Sequence, residues 1–269
     1  MVEVEIISIG SELLLGDVLD TNTNWLCRRI TGLGGRVRRA TLVRDEIPAI
    51  VEEIRRALAQ GVDAIFTVGG LGPTVDDVTL AAVAEAVGVP LEENREALTL
   101  VRAKYEELAE KGYIADAALT RARRKMARLP KGSLPLINPV GGAPGVVLKV
   151  GGATLISLPG VPEELKGIFQ TSLQPLLIEL FGPGTFVKKT IIVEHGDEST
   201  LAPILKQVAE GNPSVYIKSL ARRFGPRGRL QVIFSMAGGD KAEVEAALDK
   251  ALNEFKEALA EVGISIAET

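Results

Sequence analysis

Residues 67–79 read TVGGLGPTVDDVT. The run that leads into them, 62–68 (VDAIFTV), is short, apolar and β-branched, which predicts a buried strand. The run that follows, 78–87 (VTLAAVAEAV), is alanine-rich and apolar, which predicts a helix. Between them lie Gly69, Gly70, Leu71, Gly72, Pro73, Thr74, Asp76 and Asp77. A strand that breaks into glycines and then opens a helix brings bare backbone N–H groups to one point. The helix N-terminus adds partial positive charge there, which suits phosphate or another anion. The three glycines let a ligand approach the backbone with no Cβ in the way. One of the two aspartates can cap the helix. The other is then free to hold a cation or take a proton, and phosphate with a divalent metal would use both features. A tight turn with a doubled acidic cap has the same spacing, and the motif by itself leaves both readings open.

Outward from this stretch the chain alternates strand and helix. Residues 2–9 predict a strand, followed by Gly10-Ser11-Glu12 and a cluster of capping residues at 20–24. Residues 23–33 predict a helix, 37–43 a strand ending at Arg44-Asp45, and 48–59 a helix opened by Pro48. Two helices are expected at 92–111 and 117–129, the second strongly basic (RARRK) and read as a solvated face. Strands at 146–150 and 153–158 flank Gly151-Gly152, and a helix is expected from about 162 to 181. This order predicts an α/β fold with a mostly parallel sheet covered on both faces. Past Gly182 the pattern becomes β-α-β-β-α (186–193, 200–210, 214–220, 229–236, 242–260), a small α+β unit. The expected domains are therefore 1–182 and 183–269.

Composition narrows the function. The chain has 269 residues, 46% hydrophobic and 25% charged, with net charge −4, too mild to argue for a nucleic-acid or membrane partner. Cys27 is the only cysteine and His195 the only histidine, so an intramolecular disulfide and a multi-histidine zinc site are excluded. The first ten residues, MVEVEIISIG, lack the character of a signal peptide, and no apolar run reaches the ~20 residues of a membrane span. A cytoplasmic protein is expected. There is no GxxxxGK[ST], and residues 10–16 do not spell GxGxxG, so neither a P-loop nor an NAD site is expected. CxxC and HExxH are missing, so no zinc cluster is expected, and any metal would be a hard cation held by oxygens. Lys218, Arg222, Arg223, Arg227 and Arg229 cluster with Tyr216 and Phe224. A solvated hairpin tip or subunit contact is preferred there over nucleic-acid binding.

In a parallel α/β sheet, ligands bind at the carboxyl ends of the strands. Four loops should meet there: 10–24, 44–45, 69–77 and 159–163. They carry Ser11, Glu12, Asp17, Asp20, Asn22, Asn24, Asp45, Thr74, Asp76, Asp77 and Glu163, more carboxylates than turning requires. Asn138 and the glycines behind it would enter from another edge of the cleft.

Four motifs in order carry a family resemblance: IGSELLLGDVLDTN at 9–22, TVGGLGPTVDDVT at 67–79, NPVGGAPG at 138–145 and LPGVPEEL at 158–165. Together they resemble the CinA-type branch of the molybdopterin-binding, MoaB/MogA-like superfamily over about residues 1–170. The last third resembles the small α+β domain that follows in CinA. The resemblance implies a three-layer α/β/α fold with a cleft for a phosphate-bearing nucleotide or pterin. It does not reach an amidase domain, so nicotinamide-nucleotide deamidation is not expected. In the CinA branch this domain is associated with metal-dependent ADP-ribose pyrophosphatase activity, which is the leading expectation, with Mg²⁺, Mn²⁺ or Co²⁺ as cofactor. The alternative, from relatives that adenylate molybdopterin, is a molybdopterin-binding protein without hydrolysis.

For the hydrolase, the resemblance and the chemistry of pyrophosphate cleavage imply a set of roles. Backbone N–H groups of Gly69 to Gly72, with Leu71 among them and Pro73 and Thr74 beside them, would cradle phosphate. Asp77, with Asp45 or Glu12, would hold the cation, and Asp76 or Asp45 would orient water. Gly10, Ser11, Gly142, Pro159 and Gly160 would line the site, and Asn22 and Asn138 would bind sugar or base. Ser11 stands where many relatives carry Asp, which leaves the first-loop metal role to Glu12. A homo-oligomer, dimer or trimer, is expected.

Overall fold

The structure, a computed structural model, describes residues 1–182, 184–221 and 228–267. It contains two compact units, Met1–Ile30 with Gly35–Phe181, and Thr31–Gly34 with Gly182–Thr269.

In chain order the first unit comprises β1 (Glu3–Ile9), α1 (Ser11–Leu15), α2 (Thr21–Gly32), β2 (Arg36–Val43), α3 (Ile47–Ala59), β3 (Ala64–Val68) and α4 (Thr79–Val87). Then come β4 (Leu91–Glu93), α5 (Arg95–Glu110), α6 (Arg121–Lys125), β5 (Arg128–Pro130), β6 (Leu134–Leu136), β7 (Gly145–Val150), β8 (Ala153–Leu158), α7 (Pro162–Gln170) and α8 (Gln174–Phe181). The main sheet runs β2-β1-β3-β8-β7-β6, with the first four strands parallel and β7 antiparallel to both its neighbours, β8 and β6. Strands β1, β3 and β8 are buried on both faces, as their continuous apolar runs require. On one face Ile7, Ile9 and Ile65 pack with Ile50 and Ile54 of α3 and Ala82 and Val83 of α4. On the other, Phe66 meets Phe169 of α7, whose ring takes the edge of Trp25 from α2 at 5.0 Å. This is a three-layer α/β/α unit. Each fully buried Ile, Leu or Phe in it contributes about 1.5–3 kcal/mol of transfer free energy.

Four local expectations change. Residues 10–15 turn into a short helix, α1, closed by Gly16 in the left-handed region. The helix expected from 92 begins only at Arg95, because Asn94 caps it, accepting the Ala97 N–H at 2.9 Å. Residues 91–93 form a strand instead, paired with residues 128–130. The helix expected at 117–129 shrinks to Arg121–Lys125, because Met126, Ala127 and Leu129 are drawn into the core beside Ala97 and Val101. The helix expected at 162–181 breaks into α7 and α8 around Leu173, whose N–H reaches back to the Ile168 carbonyl.

The second unit contains β9 (Thr185–Val193), α9 (Glu198–Gly211), β10 (Tyr216–Ala221), β11 (Leu230–Gly238) and α10 (Lys241–Glu261). Its antiparallel sheet runs β10-β11-β9, and Leu230, Val232 and Phe234 pack on Leu201 and Ile204 of α9 and Leu248 and Phe255 of α10. Of the basic cluster noted above, Arg222, Arg223, Phe224 and Arg227 lie outside the described residues. Arg229 pairs with Glu194 at 3.0 Å. Among the described residues no helix is long and apolar enough to cross a membrane.

Candidate functional site

In the order β2-β1-β3 the chain adds β2 on one side of β1 and β3 on the other, so the strand order reverses at β1 and the loops after β1 and β3 leave the sheet side by side. Their backbones nearly touch: a Cβ on Gly69 would stand 2.1 Å from the Ile9 carbonyl oxygen. Gly69 itself has φ +103 and Gly70 φ +66, values that disfavour any other residue. The Gly69 N–H donates to the Leu158 carbonyl at 2.9 Å, which ties the loop to the end of β8. Thr79, fully buried at the start of α4, donates its hydroxyl to the Gly69 carbonyl at 2.7 Å. Gly69 and Gly70 are thus required by the protein's own packing, a reason additional to ligand approach. At the end of β2, Asp45 accepts the Ser11 N–H at 2.7 Å, and the Gly10 N–H donates to Val43 at 3.0 Å.

These loops wall a cavity of about 640 Å³. Of the expected residues, Glu12, Asp45, Gly69, Gly70, Leu71, Gly72, Pro73, Asp76, Asp77, Gly142, Pro159 and Gly160 line it. Five others do not. Gly10 forms a floor for Glu12, whose carboxylate lies 2.5–2.8 Å from where a Cβ would stand. Ser11 is engaged with Asp45. Asn22 is buried, donating to the Gly160 carbonyl at 2.7 Å, with its Oδ1 unpartnered. Asn138 is also buried and fully used by its own loop and α7: it accepts from Val140 and Gly141, and donates to the Ala143 carbonyl and to Glu164. Asn22 and Asn138 therefore brace the walls of the site. Thr74 faces a neighbouring cavity of about 980 Å³ on the far side of the same loop, whose outer wall carries Arg121, Arg124, Lys125 and Arg128.

Neither aspartate caps α4; its N-cap is Val78, with no side-chain bond. Asp77 instead accepts the Thr74 N–H at 2.8 Å and the Thr74 hydroxyl at 2.5 Å, and Asp76 accepts from the same hydroxyl. That hydroxyl, with the backbone and Lys125, holds the Asp76 carboxyl below the usual carboxylate range. Lys125 donates to the Thr74 carbonyl, and burial pushes its ammonium pKa down against the pull of Asp77 and Asp76. Folding this turn on itself leaves the N–H groups of Gly70, Leu71 and Gly72 without a hydrogen-bond partner among the described residues. Three successive free donors on a loop that lines a cavity form an anion-binding concavity.

Sequence reasoning missed two groups in the site and one beside it. Glu164, beside the expected Glu163, lines the cavity half-buried, and burial raises its pKa against the Asn138 hydrogen bond and Lys104. Tyr105 of α5 lines it too, with the Arg123 guanidinium 4.1 Å over its ring. Lys125 comes from the basic run that was read as a solvated face. For Glu164 the available signal was Gly141, which leaves room for its carboxylate. A Cβ there would stand 2.2 Å from the carboxyl carbon. As for metal, Glu12, Asp45 and Asp77 share the cavity, but among the described residues no three His, Cys, Asp or Glu side chains group to hold an ion.

Residues 5–179 match the family model described as a probable molybdopterin binding domain. A protein from Pyrobaculum arsenaticum is 42% identical over 255 residues, 94% of this chain and 93% of its own. One from Aeropyrum pernix is 42% identical over 266 residues, 98% and 96%. Among solved structures, the protein CinA from Thermoplasma acidophilum, described as of unknown function, is 34% identical with a TM-score of 0.59. The match covers 65% of this chain and 98% of that one.

Proposed function

The chain belongs to the molybdopterin-binding domain family as a CinA-like member, and on that premise we propose that the cavity at the strand ends binds a phosphate-bearing pterin of the molybdopterin type. The observation that carries the reading is the row of free N–H groups at Gly70, Leu71 and Gly72 on the wall of a small-molecule-sized cavity. The phosphate sits on these donors, and the ring lies in the remainder of the cavity. Pro73, Pro159 and Gly160 shape the rim, and Glu12 and Asp45 keep that end polar.

The reading is one of binding and handling. Hydrolysis of a nucleoside diphosphate such as ADP-ribose would use the same cradle and would need carboxylates free to hold a cation and orient water. Asp76 and Asp77 are drawn into the Thr74 turn, while Asp45 accepts one bond, from Ser11. The exposed run Leu14, Leu15, Val18 and Leu19 supplies apolar surface suited to a homo-oligomer, which light scattering in solution would detect.

The test pairs two assays on the full chain. Titration with a pterin monophosphate, read by pterin fluorescence and competed with inorganic phosphate, should give saturable binding. Incubation with ADP-ribose and Mg²⁺, Mn²⁺ or Co²⁺ should release no AMP. Metal-dependent AMP without pterin binding would replace this reading with the hydrolase.

A further inference from the structure

The geometry points to Glu164 as the specificity residue of this cavity, the carboxylate that reads the amino-pyrimidinone edge of the ligand ring. The inference rests on the pterin reading above and deepens it.

Glu164 stands on the first turn of α7 and lines the cavity. An ionised carboxylate offers about four acceptor sites. Here one is used: Oε2 accepts the Asn138 Nδ2 hydrogen at 2.7 Å, and Oε1 accepts no bond among the described residues. The cation that bears on it, Lys104, is already bonded to Glu107 at 2.9 Å and to the Pro139 carbonyl at 3.1 Å. The side chain is also fixed in place. Asn138 holds it from one side, and Gly141 lies so close on another that a Cβ there would overlap the carboxyl group. The result is a positioned, half-buried carboxylate short of donors, which ranks among the strongest acceptors a ligand can meet.

The cavity therefore makes two opposite demands. The glycine loop presents free N–H donors and asks for an anion, while Glu164 presents a free acceptor and asks for N–H groups. A ligand that meets both is an anion at one end and a paired N–H donor at the other. The ring N–H and adjacent exocyclic amino group of a 2-amino-4-oxopteridine are such a pair, and guanine carries the same edge. Adenine does not: its amino group sits beside a ring acceptor, which would face the carboxylate repulsively. Glu164 thus favours pterin phosphates over adenine nucleotides in a cavity whose anion cradle would take either.

The experiment compares a pterin monophosphate with its 2-oxo analogue, in which the amino group becomes a carbonyl, against wild type and Glu164→Gln. Wild type should bind the pterin about 10- to 100-fold more tightly than the 2-oxo compound, the range expected when a charged group loses a hydrogen bond. Glu164→Gln should lose most of that preference while keeping its affinity for the 2-oxo compound. Equal binding of the two compounds by wild type, or undiminished preference in a folded Glu164→Gln, overturns the inference and leaves the pterin reading standing. Should wild type bind neither compound, the pterin reading itself falls and takes this inference with it. If Glu164→Gln does not fold, the two ligands on wild type decide the matter alone.

Discussion

Two glycine loops meet at the cavity, and they use glycine for different ends. In TVGGLG two of the three glycines serve the backbone conformation, and the third, Gly72, gives room to the Asp77 carboxylate. Gly69 and Gly70 take positive φ, and their missing Cβ atoms make way for the Ile9 carbonyl and the Thr79 hydroxyl. In NPVGGAPG neither Gly141 nor Gly142 has positive φ; there the missing Cβ atoms make way for side chains, Glu164 at the first and Tyr105 at the second. The first loop is held by the fold and displays N–H groups. The second is held by Asn138 and gives room to Glu164 and Tyr105, which line the cavity. A motif reader scores both alike; only the neighbours of each absent methyl separate a glycine that permits a turn from one that permits a site.

Substitution should break the comparison most sharply at Gly69. Gly69→Ala combines a strained φ with overlap of a fixed backbone carbonyl, and is expected to lower stability by about 3–5 kcal/mol in a denaturant melt. Gly141→Ala should cost less, about 2 kcal/mol, because a side chain can give way. Its mark is coupling: repeated in a Glu164→Ala background, most of that loss should vanish, whereas Gly69→Ala should cost the same in either background. Equal penalties at 141 in both backgrounds would abolish the distinction. Thr79→Val leaves the Gly69 carbonyl without its side-chain donor, and a loss of about 1–2 kcal/mol should follow with ligand selectivity unchanged.

The smallest effect near neutrality concerns pH. Burial raises the Glu164 pKa, and Asn138 and Lys104, the groups that face it, only partly oppose this. A donor-rich ligand binds the ionised form, so affinity should be full above that raised pKa. It should fall as pH drops through it, starting at higher pH than for an ordinary carboxylate. The ligand-free protein should show the reverse: its folded state binds the proton more tightly than the unfolded chain, so this group's contribution to stability declines as pH rises through the same interval. Calorimetric titration across pH should show the dependence flattened in Glu164→Gln.

Much of the fold was legible because β-branched runs such as AIFTV and the apolar stripe of α3 carry their periods locally. What escaped was decided at a distance. Residues 91–93 look helical beside Glu92 and Glu93, but they pair with 128–130, some forty positions on, and no local pattern announces that partner. Thr171-Ser172-Leu173 breaks the helix after α7 without a glycine, although Pro175 at the start of α8 was a readable signal. In the site, the carboxylates of the first three loops were legible by type and place. Their hydrogen bonds were not: Asp77 looked like a helix cap and instead closes a turn on Thr74. Glu164 looked like one of two acids in a first helical turn, and its distinction comes from Asn138, far away in sequence.

The edge-on packing of Trp25 against Phe169 has a practical consequence. Trp25 is the only tryptophan in the chain, and Phe169 belongs to the same helix as Glu164. The guanidinium of Arg29, 5.1 Å from its ring, adds a charge to which indole emission is sensitive. The protein thus carries one intrinsic optical probe, set against the back of the helix whose front faces the cavity, and a shift of that helix on occupancy would register without any label.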